Sequence, residues 1–224
     1  MVIRQRAILA EDKQERHHAI LDAAEQLLLR SPEHGANVAE VAQEARLAKG
    51  TVYLYFRSKE ELLLAVHERG IDRYFRAVDA LLAGPGPVSV DDMLALTQRH
   101  IVLPPLFLPM ASRCFGVMAQ GAPEAFGIAF HRRMADRLER AGAGLERHFT
   151  QLGRGDGLAL LRRSYALILG LWQMSLARGA EGAHAGMAPV VSASPVFGWS
   201  YPAELERALR ALWQGSLGAA AAKR

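Results

Sequence analysis

Apolar positions recur along this chain with the 3.6-residue period of helices, and nowhere with the alternation of a strand. Ile20, Ala23, Ala24, Leu27 and Leu28 make one face of a helix through residues 16–29, which Ser31-Pro32-Glu33-His34-Gly35 ends. A short helix follows, with Asn37 as N-cap and Val38, Val41, Ala42 and Ala45 on its buried side. After a tight turn comes a second short element, Lys49 to Phe56. Ser58 with Glu61 three residues on predicts a capping box. The long helix it opens carries Leu62, Leu63, Val66, Phe75, Val78, Leu81 and Leu82 as far as Gly84-Pro85-Gly86-Pro87, the predicted hinge.

Beyond the hinge, Ser89 and Asp92 predict another capping box, leading a helix toward Ile101. Pro104, Pro105 and Pro109 force a break or kink, and a helix then carries Met110 to Met118. Pro123 suits the first position of a long, charge-studded helix ending near Leu152. The helix from Leu158 to Arg178 is hydrophobic on most sides, so it is buried inside the domain or against a partner. Residues 179–200 read as a loop, and a final amphipathic helix aligns Leu205, Ala208, Leu209, Leu212 and Leu217, with Trp213 beside them. The pattern predicts an all-α fold of about nine helices.

Composition narrows the class. Half of the 224 residues are hydrophobic, enough for a buried core. The formal net charge is +4, yet residues 1–60 hold nine Lys/Arg against nine Asp/Glu. Bulk charge therefore does not argue for a polyanion partner, and any nucleic-acid affinity must come from local placement. One cysteine, Cys114, excludes an internal disulfide and a multi-Cys zinc site. The longest uncharged apolar run, Ile101 to Ala111, is too short and proline-rich to span a membrane, and the N-terminus lacks a signal-peptide pattern. A cytoplasmic protein without a membrane partner is expected. The eight histidines are scattered and no catalytic constellation emerges, Cys114 with His100 being the nearest to one. No enzyme activity and no cofactor are expected.

Two short helices joined by a turn, held between flanking helices, outline a helix-turn-helix. Its second helix must bring side chains to bases and phosphates, and here its start offers Lys49 and Thr51, with Gly50 allowing close approach. Tyr53 and Tyr55 can give hydroxyls to phosphates, and Lys59 stands at a helix N-terminus that favours an anion. Arg4 and Arg6, ahead of the first helix, are expected to form a basic arm. An all-helical interaction or scaffold protein is the alternative.

The ordered run from Asn37 to Leu62 resembles the DNA-binding segment of TetR/AcrR-type regulators, and Ile20-Leu21-Asp22-Ala23-Ala24 resembles that family's first helix. The likeness covers roughly residues 16–66. It implies a three-helix DNA-binding domain over 1–60 and a larger effector-binding and dimerisation domain over 61–224. It implies a homodimer through the last two helices, with double-stranded operator DNA and a small-molecule effector as partners. Asn37, Arg46, Ala48, Lys49, Gly50, Thr51, Tyr53, Tyr55 and Lys59 then match positions that commonly touch DNA. Arg46 stands where the family usually has glycine, Ala48 where serine often caps, and Asn37 where threonine is usual. A left-handed backbone at Arg46 would cost about 1 kcal/mol; the alternative expectation is that its guanidinium adds a phosphate contact.

For the effector, the resemblance implies an apolar pocket within the C-terminal core. Phe107, Met110, Phe115, Met118, Phe126, Phe130, Met134, Trp172 and Met174 are its candidate walls, and His100, Arg113, Cys114 and Gln173 its polar groups. A largely hydrophobic molecule is expected, with an anionic group paired to Arg113. Release of a repressor by population shift follows from the resemblance.

Overall fold

Nine α-helices and one π-helical segment make up the regular structure of the described residues, and no strand occurs among them. The computed structural model describes residues 2–31, 36–119, 124–176 and 199–221. The helices are α1 (Val2–Arg30), α2 (Val38–Glu44), α3 (Lys49–Tyr55), α4 (Lys59–Ala83) and α5 (Val90–Thr97). The π segment (Gln98–Val102) follows, then α6 (Phe107–Ala119), α7 (Glu124–His148), α8 (Asp156–Leu176) and α9 (Tyr201–Ala221). The predicted turn around Pro32, the start at Pro123 and most of the predicted 179–200 loop lie outside the described residues.

Two expectations change. No glycine or proline interrupts the chain ahead of Arg16, so α1 extends back to Val2 and contains Arg4 and Arg6. They are part of the helix, not an arm before it. Pro109 lies in the first turn of α6, where a missing N–H leaves no helical bond unmade, so α6 starts at Phe107. The break falls instead at Pro104 and Pro105. Leu103, the last donor before them, reaches back five residues to the Gln98 carbonyl at 2.9 Å and closes the π turn.

The chain divides into two compact units, Met1–Ile71 with Pro105–Ile128 and Asp72–Pro104 with Ala129–Arg224. In the first, Ile20, Leu28, Val41, Val52, Leu62, Leu64 and Met110 are almost completely buried. Each such side chain contributes roughly 1.5–3 kcal/mol by leaving water. Along α6 the buried stripe is Phe107, Leu108, Met110, Ala111 and Cys114, and the Cys114 thiol donates to the Leu63 carbonyl of α4 at 3.8 Å. Burial pushes that thiol up to about 12, which makes it an inert packing group.

In the second unit, α7 and α8 cross through glycine. A Cβ on Gly157 would stand 2.3 Å from the Gly142 carbonyl oxygen, and one on Gly142 would stand 2.7 Å from the Leu158 nitrogen. Residues 72–83 of α4 lie along α7. Arg137 pairs with Asp72 at 3.3 Å, Arg140 with Asp79 at 2.9 Å, and His148 Nε2 donates to the Leu82 carbonyl at 2.8 Å. A polar relay joins α8 to α9: the Trp213 indole donates to Ser164 at 3.0 Å, and Ser164 to the Leu160 carbonyl at 2.8 Å. Tyr201 donates to the Ile168 carbonyl at 3.2 Å.

Candidate nucleic-acid interface

Helix α2 starts where a side chain replaces the missing helical partner of its first amides. The Asn37 side-chain oxygen accepts from the Glu40 N–H at 2.9 Å, and the Glu40 carboxylate accepts from the Asn37 N–H at 3.4 Å. Val38, Val41 and Ala42 turn inward. The helix ends at Arg46, which has φ of 55° and is the one positive-φ residue other than glycine among those described. Around it the Leu47 N–H bonds to the Ala42 carbonyl at 2.9 Å and the Arg46 N–H to the Gln43 carbonyl at 3.1 Å. This pair of bonds is the Schellman closure, usually built on glycine. The left-handed backbone expected at Arg46 is therefore present.

Helix α3 has no side-chain cap, because Ala48 offers none. Val52 is fully buried and pins the helix to the core, and Phe56 closes its end. The opposite side faces out. Lys49 and Gly50 are exposed, Tyr53 is 43% exposed, and the Lys49 ammonium lies 5.9 Å from the Tyr53 ring centre. A Cβ on Gly50 would meet nothing within 4 Å. The fold does not require glycine there, so the open backbone faces solvent. Thr51 is half-buried, and Tyr55 turns partly inward toward α1, its ring 6.3 Å from that of His17. Of the two tyrosines, Tyr53 is the outward one.

Leu54 was not picked out from the sequence, yet it is 84% exposed. The signal was legible: two residues beyond Val52 on a helix is about 200° of rotation, the far side from the core. An exposed leucine on such a helix is suited to a thymine methyl.

The neutral charge of residues 1–60 resolves by location. Glu44 pairs with Arg30 at 2.7 Å, Asp22 and Glu25 pair with Arg69 of α4, and Glu40 serves the α2 cap. Among the described residues, Arg46, Lys49 and Lys59 have no carboxylate partner. Lys59 opens α4, whose first turn is held by Ser58 accepting from the Glu61 N–H at 3.1 Å. The Glu61 carboxylate accepts from the Arg57 N–H at 2.7 Å, one residue ahead of the cap that the predicted box required. These cations border α3 without charge compensation.

The effector candidates fall in both units. Phe107, Met110 and Cys114 are buried together along α6 in the first, while Arg113 is exposed. His100, on the π segment, belongs to the second with Phe130, Met134, Trp172 and Gln173. Phe130 is buried, Met134 and Trp172 are half-buried, and Gln173 is exposed. Trp172 packs edge-on to Tyr201 at 5.4 Å. The side chains of Phe115, Met118 and Phe126 lie outside the described residues. The second unit also has a groove of about 520 Å³ with Leu94, Val102, Leu205 and Leu209 on its walls and Asp91 and Arg210 at its rim. None of the sequence candidates lines it. His67, also overlooked in the sequence, is buried on α4 with its ring 5.2 Å from that of Phe107.

No helix among the described residues is long and apolar enough to cross a membrane. No group of three or more His, Cys, Asp or Glu among them is placed to hold a metal.

Residues 20–66 match the bacterial regulatory proteins of the tetR family, and residues 68–220 match a tetracyclin repressor-like C-terminal domain. Over 114 residues the chain is 28% identical to a fatty acid metabolism regulator protein of Bacillus subtilis, covering 42% of this chain and 59% of that one. Over 108 residues it is 32% identical to the HTH-type transcriptional repressor KstR of Mycolicibacterium smegmatis, covering 47% and 53%. The chain thus spans little more than half the length of these curated relatives. A solved TetR-family transcriptional regulator from Mesorhizobium loti is similar with a TM-score of 0.56 at 19% identity, over 92% of this chain and 96% of that one. That likeness shows the fold. With the second of the two family matches alone spanning more than half of its residues, this chain belongs to the TetR family of bacterial regulatory proteins.

Proposed function

We propose that the chain is a homodimeric repressor that binds operator DNA through α2 and α3 and leaves it when a small, largely hydrophobic effector binds. The observation that carries this reading is the outward face of α3. Arg46, Lys49 and Lys59 border it without carboxylate partners, Gly50 presents bare backbone, and Tyr53 and Leu54 stand exposed. Cations fix the helix on phosphates, and the apolar and hydroxyl groups meet base edges and sugar.

In this reading residues 1–60 bind DNA and residues 61–224 bind effector and partner. Helix α8 leaves Tyr165, Met174 and Leu176 exposed, which supports pairing with a second copy alongside α9. The names of the relatives support the rest: one is a repressor, another a regulator of fatty acid metabolism, a setting rich in apolar small molecules. Effector would favour a dimer whose two α3 helices no longer fit successive major grooves, about 34–36 Å apart. Such a protein works beside DNA in the cytoplasm and catalyses nothing.

The test is titration of the DNA upstream of the chain's own gene over a range of salt. Affinity should fall steeply with salt, and Lys59→Ala should weaken binding while lowering the slope by about one charge. Tyr53→Ala should weaken binding with folding intact. A flat salt response, or unaltered binding in both variants, overturns the reading.

A further inference from the structure

His67 is only 4% exposed, and its Nδ1 has no hydrogen-bond partner among the described residues. A buried polar nitrogen left without a partner forfeits its hydration, and native interiors rarely keep one without a reason. The α6 side chains beside this imidazole are apolar. The Phe107 ring meets it edge-on at 5.2 Å, Leu63 lies one turn earlier on α4, and Met110 and Cys114 continue the α6 stripe that Phe107 begins. The Cys114 thiol is already committed to the Leu63 carbonyl, and Arg113 is exposed. These neighbours offer one unpartnered hydrogen-bonding atom and no cation to receive an anion, and the Glu68 carboxylate that acts on the ring would repel one.

We infer that His67 Nδ1 is the polar anchor of an effector site between α4 and α6, and that its ligand is an uncharged, apolar alcohol. This rests on the ligand-responsive reading above. Nδ1 acts as the bare acceptor of the neutral ring, so a hydroxyl can donate to it and an ether cannot. A carboxylate would enter without a cation to pair with. Space comes from Phe107, the first residue of α6, whose ring lies 3.1 Å from where a Cβ on Gly70 would stand. Rotation of that ring uncovers the imidazole and leaves a ring-sized gap over a residue with no side chain to fill it.

The experiment uses the full chain with n-decanol, its methyl ether and decanoate as probes, read by the nitrogen resonances of His67 and by calorimetric titration. Decanol should move the Nδ1 resonance and bind roughly tenfold more tightly than the ether, one hydrogen bond's worth. Phe107→Ala should bind decanol more tightly, and His67→Phe should bind alcohol and ether alike. An unmoved Nδ1, equal binding of alcohol and ether by the unaltered chain, or a preference for decanoate overturns the site. Operator binding on the same samples separates the two readings. Retained DNA binding with a silent His67 overturns the site alone, whereas no DNA binding overturns the reading beneath it.

Discussion

Arg46 holds a backbone that its own side chain disfavours. At φ of 55° it occupies the left-handed position of the α2 closure, with the Leu47 and Arg46 amides returned to Ala42 and Gln43. A β-carbon there crowds the following carbonyl and costs about 1 kcal/mol. Arg46→Gly should therefore raise stability by at most roughly 0.6 kcal/mol, once the freer unfolded chain is set against the relieved strain. It also removes one of the cations beside α3, so the proposed operator should bind less tightly. Urea denaturation and DNA titration of the variant check both halves. A lowered urea midpoint would mean that the arginine side chain stabilises the turn by more than its backbone strain. The combination of higher stability and weaker DNA binding is what a residue kept for its charge should give.

Between elements, the sharpest constraint is the crossing of α7 and α8. A Cβ on Gly157 would lie 2.3 Å from the Gly142 oxygen and 2.9 Å from its carbonyl carbon, and backbone cannot move aside as a side chain can. Gly157→Ala should lower stability by about 3 kcal/mol, the upper end of overpacking costs. Thermal denaturation of that variant, beside an alanine at the unobstructed Gly50, checks it. Equal effects at the two sites would mean that the helices do not approach so closely. This crossing was not legible in the sequence, because it joins glycines on two helices across a turn. What was legible is local. The spacing of Val38, Val41, Ala42 and Val52 placed α2 and α3, and Asn37 and Ser89 begin α2 and α5 as their capping chemistry predicts. The outward side of α3 was legible only in part: Leu54 was passed over, and Tyr55 turns partly inward. The inward side of the long helices did not resolve in this way. Aromatics and methionines look alike whether they fill a core or line a pocket, so the candidates came out in two units and His67 was passed over.

For the whole chain, histidine sets how stability responds to acid. Burial holds His67 well below the usual imidazole value, at about 4, with Glu68 opposing only in part. His17 is lowered by burial, His18 and Arg69, and His100 by burial, Arg99 and Arg73. All three shifts act in one direction. As pH falls below about 6.5 the unfolded chain takes up protons that the folded chain refuses, so folding loses free energy progressively toward pH 4. Above about 6.5 both states hold neutral imidazoles and the contribution is complete. For His67 the loss should reach about 2 kcal/mol by pH 5, since each pH unit in that window is worth about 1.4 kcal/mol. The carboxylates of Glu44, bonded to Arg30, and Asp92, bonded to Ser89, are held low as well, and their contribution goes only as pH falls below the ordinary carboxylate range. The histidine part is therefore separable by its pH window. Denaturation midpoints measured from pH 7.5 down to 4.5 should fall for the unaltered chain, and His67→Leu should flatten that fall between pH 6.5 and 5. If the variant keeps the full slope, the buried imidazole is not what makes this fold acid-sensitive, and protonation at His17 and His100 must account for it.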